Sequence, residues 1–178
     1  VCLKVFGFQM YFYARAKGRQ IRLRDLDDFT EELERRVKGE KFAEEQRDGS
    51  KPEYKRVKDY YPKPILDIRL VKRQNIMGYN PDGLTDFLKI SVPTEEVKKV
   101  VIKAMKGRFP FRGFDLYFET FESRIEALSR FMIDTKTMGM SWIEIPPEKY
   151  IFASRNNWMS TCQIEASCYA KDVVSHEP

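Results

Sequence analysis

The 178-residue sequence is short of the residues that small catalytic and metal-binding sites are usually built from. It has three cysteines, Cys2, Cys162 and Cys168, and a single histidine, His176. An odd, sparse cysteine set argues against a disulfide framework and points to a reducing, intracellular setting. With one histidine and two cysteines six residues apart, the spacing of a zinc site is missing, so the cysteines read as small buried hydrophobes. His176 is the one base open to a histidine-dependent triad, and its place at the end of the chain marks it as structural or as part of a linker. There is no P-loop Gly-Lys-Ser/Thr, no Gly-x-Ser-x-Gly and no His-Glu-x-x-His. No apolar run approaches the roughly 20 residues a membrane helix needs. No basic leader with an apolar core precedes the first strand; the sequence opens at Val1, already inside an apolar stretch, and reads as a piece of a longer protein.

What is present is the makeup of a globular chain. The apolar fraction is 42% and the aromatic fraction 13%, enough to build a core and too much for disorder. The net charge of +5 is concentrated rather than spread. Between Lys51 and Arg73 there are eight Lys/Arg against three acids, which leaves the rest of the chain neutral. Tyr54, Tyr60 and Tyr61 are interleaved with these cations. Two readings fit such a stretch: phosphate contact with base stacking, or a solvated basic loop. On the first, Lys55, Arg56, Lys58, Lys63 and Arg73 are the candidate nucleic-acid-binding residues.

The periodicities predict an α+β fold. Residues 1–16 are rich in aromatic and β-branched residues and read as a strand pair or one bent strand, with Gly7 a point of close approach. Over 25–38, Leu26, Phe29, Leu33 and Val37 fall at helical spacing, and Asp25, Asp27 and Asp28 crowd the first turn, where the helix dipole favours acids. These acids read as caps rather than metal ligands. Gly39 is a weak point beyond which the helix resumes through Glu45. Asp48 to Pro52 is a loop, Tyr61 to Pro64 a stiff extended entry, 65–71 a strand, Asn75 to Gly83 a turn-rich link, and 87–92 a second strand. Thr94 caps the clearest helix, whose apolar face is Val97, Val100, Val101, Ala104 and Met105, with Gly107 just past its end. Residues 115–119 form a further strand.

That order, β-α-β-β-α-β, is the simplest ferredoxin-like or RRM-like split unit. It covers 1–120. Residues 121–178 add a helix and strands, expected to complete a small OB-like barrel or sandwich. In this part Ser123 and Glu126 form a capping box ahead of a stripe of Ile125, Leu128, Phe131 and Met132. The stretch 123–150 is read as the packing centre, with Trp142 and Tyr150 buried in it and Trp158 exposed. The last 19 residues, from Ser160, read as one long strand.

Several segments also carry a resemblance. FGFQMYFYARA at 6–16, IRLVKRQNIMGYN at 68–80, FMID at 131–134, then Gly139, SWIEIP at 141–146 and Lys149-Tyr150, with CQIEAS at 162–167 and the closing SHEP, follow one another in the order seen in family B DNA polymerases. Within that family the delta-type replicative enzymes are the nearest in pattern. Met10 stands where many members have proline. The stretches 17–64 and 94–122 carry no such signature.

The resemblance implies that 1–178 is the N-terminal domain of a polymerase, ahead of its proofreading exonuclease and non-catalytic by itself. It would brace the exonuclease domain and contact the single-stranded template. The sequence has neither the family's Asp-x-Glu exonuclease pair nor its Asp-Thr-Asp polymerase motif. Two-metal phosphoryl transfer needs such carboxylates, so catalytic and metal-binding residues are expected to be none here. The parent would be a DNA-directed DNA polymerase with 3′–5′ exonuclease activity that uses magnesium. It would be nuclear, away from membranes, and joined to accessory subunits through other regions. The alternatives are a free-standing single-stranded nucleic-acid-binding module and a protein-interaction platform.

Overall fold

The first two strands, β1 (Cys2–Phe6) and β2 (Met10–Lys17), do not pair with each other; they enter different sheets. Gly7 separates them at φ +72°, a left-handed conformation that favours glycine. A side chain there would also meet the Tyr169 ring, whose Cδ1 lies 3.2 Å from the position of a Cβ. The computed structural model describes residues 1–44, 53–74 and 83–176. The expected loop at Asp48–Pro52 and most of the expected link from Asn75 to Gly83 lie outside them.

Two compact units divide the chain, one spanning Gln9–Ile125 and the other Val1–Phe8 with the stretch from Glu126 onward. The first unit holds β2, α1 (Leu26–Gly39), β3 (Lys41–Glu44), β4 (Glu53–Arg56), the short α2 (Val57–Tyr60), β5 (Asp67–Gln74), β6 (Leu84–Val92), α3 (Glu95–Met105), β7 (Phe109–Phe111) and β8 (Phe114–Phe121). Its main sheet has the order β5-β6-β2-β8-β7, and every neighbouring pair is antiparallel. The strand-and-helix order expected from the periodicities is therefore present, with β3, β4, α2 and β7 added to it.

The sheet folds this way because β2 alternates. Met10, Phe12 and Ala14 are buried on one face, while Tyr11, Tyr13 and Arg15 are half-buried on the other. The buried face meets α1 through Phe29, whose ring packs on Phe109, Phe111 and Phe118 at 5.4, 5.8 and 5.5 Å. Leu33 and Val37 continue the helix stripe and are fully buried. In α3 the Thr94 hydroxyl accepts the Val97 N–H at 3.4 Å, the expected cap. Lys98 is also buried and donates to the Ile125 carbonyl at 2.5 Å.

The helix does not resume after Gly39. Glu40 is extended and β3 follows, pairing with β4, because Phe42 is buried against the rings of Tyr60 and Tyr61.

The second unit adds α4 (Ala127–Thr135), β9 (Trp142–Glu144), β10 (Tyr150–Phe152), β11 (Glu165–Tyr169) and β12 (Val174–His176). Strand β11 runs parallel to β1 and antiparallel to β10, and β9 pairs with β12. Both sheets are open: among the described residues no closed barrel forms. The expected long final strand breaks at a 3-10 turn, Ala170–Asp172.

The capping box is not made. Helix α4 starts at Ala127 with Glu126 as cap, without a side-chain cap bond. Nor is 123–150 a packing centre. Trp142 is 75% exposed, and Tyr150, Leu128 and Ile133 are exposed as well. Trp142 stands on β9 of the two-stranded sheet and Tyr150 on the edge strand β10 of the three-stranded one, and neither ring is covered there. Trp158 is the half-buried one, its indole N–H donating to the Ala153 carbonyl at 3.1 Å.

Glu165 organises the chain that follows Trp158. It is buried, and its carboxylate accepts the backbone N–H groups of Met159 at 2.9 Å and Ser160 at 2.5 Å. The hydrogen bond from the Ser160 side chain, then those backbone bonds and the charge of Lys4, hold this carboxyl below the usual carboxylate range against the opposing effect of burial. A carboxyl with a depressed folded pKa adds stability that is present above its unfolded pKa and is lost as pH falls through the folded value. The amide proton shifts of Met159 and Ser160 are therefore expected to titrate at a pH below the ordinary glutamate range. In Glu165→Gln that inflection disappears. An inflection in the ordinary range would refute the assignment.

Candidate nucleic-acid interface

The second face of the five-stranded sheet follows from the register. Residues directly opposite in an antiparallel pair share a face. Arg69 on β5 faces Lys89 on β6, Lys89 faces Tyr13 on β2, and Tyr13 faces Phe121 on β8. The flanking rows hold Asp67, Ser91 and Tyr11 on one side, and Val71 with Phe87 and Arg15 with Glu119 on the other. Beyond these, Arg73 pairs with Thr85 and Lys17 with Tyr117. This face is opposite the one carrying Phe12, Leu116 and Phe118, so α1 does not cover it.

Aromatic rings and cations alternate across it. Tyr11 and Tyr13 lie edge to face at 5.8 Å, Tyr13 meets Phe87 at 6.5 Å, and Phe87 meets Phe121 at 5.1 Å. The Lys89 ammonium lies 3.8 Å from the centre of the Tyr11 ring. The Arg15 guanidinium lies 6.0 Å from that of Phe87 and 5.8 Å from that of Phe121. Phe87 is buried among these groups, Tyr11, Tyr13 and Phe121 are half-buried, and Tyr117, Lys17, Arg69 and Arg73 are exposed. Arg15 pairs with Glu119 at 3.2 Å and Arg69 with Asp67 at 2.5 Å. Cations placed over half-open rings suit a strand whose bases stack while its phosphates meet charge.

The residues expected from the basic segment are divided. Lys55 and Arg56 end β4, Lys58 lies on α2, and Lys63 is in the extended stretch after it. Arg56, Lys58 and Lys63 are exposed. Lys55 is half-buried, 3.8 Å from the Glu53 carboxylate and 4.8 Å from the centre of the Tyr60 ring, so much of its charge is already engaged. Arg73 belongs to β5 and to the sheet face of Lys89 and Tyr13. The segment is thus a strand, a helical turn and a second strand rather than one loop. Sequence reasoning did not single out Tyr11, Tyr13, Lys89 and Arg69 as a group. The period-two pattern of MYFYARAK, aromatic and basic at every second position, was the available signal.

Among the described residues no group of three or more His, Cys, Asp or Glu gathers where a metal ion could be held. Among them, too, no helix is long and apolar enough to cross a membrane.

Residues 118–178 match the family model for the DNA polymerase family B exonuclease domain. Over 99% of its length the chain is 33% identical to the DNA polymerase delta catalytic subunit of Oryza sativa subsp. japonica, and over its whole length 27% identical to that of Bos taurus. Over nearly its whole length the chain is thus similar to family B DNA polymerases. It spans only 14% and 15% of the length of those two relatives. A family B DNA polymerase from the archaeon Pyrobaculum calidifontis shares its fold at a TM-score of 0.55, with 15% identity, over 97% of this chain and 16% of that one. The family B match begins inside β8 and so covers all of the second unit that follows Glu126.

Proposed function

We propose that this chain is a non-catalytic segment of a longer delta-type replicative polymerase, and that it contacts the single-stranded template and braces the exonuclease domain. The parent would be a magnesium-dependent, DNA-directed DNA polymerase with 3′–5′ exonuclease activity, acting in the nucleus with accessory subunits bound through other regions. The observation that carries template contact is the row Arg69, Lys89, Tyr13 with Tyr11 beside it, which joins cations to half-exposed rings on one sheet face. We read the sheet beneath it as the split β-α-β-β-α-β platform, with Lys55, Arg56, Lys58, Lys63 and Arg73 as further phosphate contacts. Bracing is supported by the exposed apolar side chains of the second unit, among them Met140, Trp142, Ile151 and Phe152 at 95, 75, 76 and 63% exposure. Apolar side chains this open suit a surface that meets another domain.

The test is fluorescence anisotropy of this chain with a labelled single-stranded oligonucleotide at two salt concentrations. Binding that weakens steeply as salt rises is expected, because each phosphate contact releases counterions. Absence of binding at low salt would overturn template contact.

A further inference from the structure

A second cluster of cations lies at the other edge of the five-stranded sheet, away from the row of Lys89 and Tyr13. The turn after β2 carries Arg19, the chain beyond it Arg22 and Arg24, and the β7–β8 turn Arg112. These turns enclose a cavity of about 80 Å³ walled by Arg19, Arg24, Arg112, Phe111 and Phe114 over Ile21 and Leu116. A wider cleft of about 450 Å³, lined by Arg19, Arg22, Arg24 and Asp25, opens at the same turns.

The groups are arranged rather than scattered. The Arg19 guanidinium lies 3.7 Å from the centre of the Phe114 ring, which is itself 51% exposed. Guanidinium on ring makes a flat, charged surface on which a base can stack. Arg112 is held by Asp25 at 2.5 Å and by Asp28, so its charge is spent on fixing the turn. Arg24 is 72% exposed and only loosely paired with Asp25, at 3.9 Å. Arg19, Arg22 and Arg24 therefore remain to meet an anion. Arginine forks match phosphate oxygens in pairs, which a lysine patch does not.

We infer that this cleft takes one nucleotide unit of a single-stranded nucleic acid, its phosphate between Arg22 and Arg24 and its base on the Arg19–Phe114 stack. Phe111 and Phe114 lie on the helix side of the sheet and β7 is its edge strand away from β5, so this contact is separate from the face of Tyr13 and Lys89. The inference rests on the reading that the chain meets single-stranded nucleic acid, but it does not need the sheet face. An acidic peptide would use the arginines and ignore the ring.

The test compares Arg22→Glu/Arg24→Glu with Lys89→Glu in oligonucleotide binding by anisotropy, with Phe114→Ala as the variant for stacking. Arg22, Arg24 and Phe114 are all exposed, and an unchanged near-ultraviolet circular dichroism spectrum verifies the fold of each variant. Loss of about tenfold or more in affinity for the arginine pair, with a smaller loss for Phe114→Ala, is the expected result. Free dAMP in place of the oligonucleotide separates the sources: binding of dAMP that the arginine pair abolishes would make the site one for free nucleotides and overturn the strand assignment. Loss in Lys89→Glu with none in the arginine pair would overturn the cleft and leave template contact standing. No oligonucleotide binding by the unaltered chain overturns both. Equal competition by polyglutamate would overturn the nucleic-acid assignment in favour of a protein partner.

Discussion

Replacing Phe29 by alanine is expected to cost the Gln9–Ile125 unit about 3–5 kcal/mol, the range seen when a large aromatic leaves a packed core. Phe29 has no exposure to solvent, and its ring touches three others, from β7 and β8. Each aromatic pair adds roughly 0.5–1.5 kcal/mol beyond the area it buries. Removing the ring thus empties the space between α1 and the edge of the sheet, and Phe109, Phe111 and Phe118 lose their common partner. Phe29→Leu keeps most of the volume and should cost clearly less. Urea unfolding followed by near-ultraviolet circular dichroism reads both values. A loss under about 1 kcal/mol for the alanine variant would mean the ring is not the junction of helix and sheet.

The second large effect is on binding. Reversing the charges of Arg69 and Lys89 together is expected to weaken single-stranded DNA binding by at least about tenfold at low salt and to flatten its salt dependence. For a single strand the slope of log affinity against log salt changes by roughly 0.7 for each phosphate that is no longer neutralised. Tyr13→Ala should act differently. It removes a stacking surface worth about 1–3 kcal/mol per base and leaves the salt slope unaltered. Measuring affinity across a salt series for both variants separates charge from stacking. An unchanged slope in the Arg69→Glu/Lys89→Glu variant would show that phosphates do not meet this row. The Asp67 carboxylate, 2.5 Å from Arg69, would be left beside a new acid in that variant, which adds repulsion to the loss of attraction.

The helices were readable from the chain alone where a single stripe of side chains defines them. Leu26, Phe29, Leu33 and Val37 recur at helical spacing, and all four are buried in α1. The Thr94 cap of α3 was readable for the same reason: cap and stripe are local, set by neighbours three and four residues away. The resemblance to the family was readable too, from short motifs whose order survives even at 27–33% identity. Local pattern failed where tertiary neighbours decide. After Gly39 the residues still suit a helix, yet Phe42 finds its burial against Tyr60 and Tyr61, and the chain extends into β3 to reach them. Trp142 and Tyr150 have the composition of a core, but hydrophobicity states what a side chain gains from burial and not whether anything covers it.

Charge shows the same division. Chain order alone shows that cations are concentrated between Lys51 and Arg73, that tyrosines stand among them, and that β2 alternates aromatic and basic residues with apolar ones. It also carries the resemblance to family B polymerases. Which cations stand together follows from the fold. It turned Lys55 inward toward Tyr60 and Glu53, and set Arg69 in register with Lys89 and Tyr13 from two other strands. It also brought Arg19, Arg24 and Arg112 from distant turns around one cavity. The reason is that a strand's alternation assigns each side chain to a face, whereas the residues opposite it on that face come from whichever strands the backbone hydrogen bonds bring alongside.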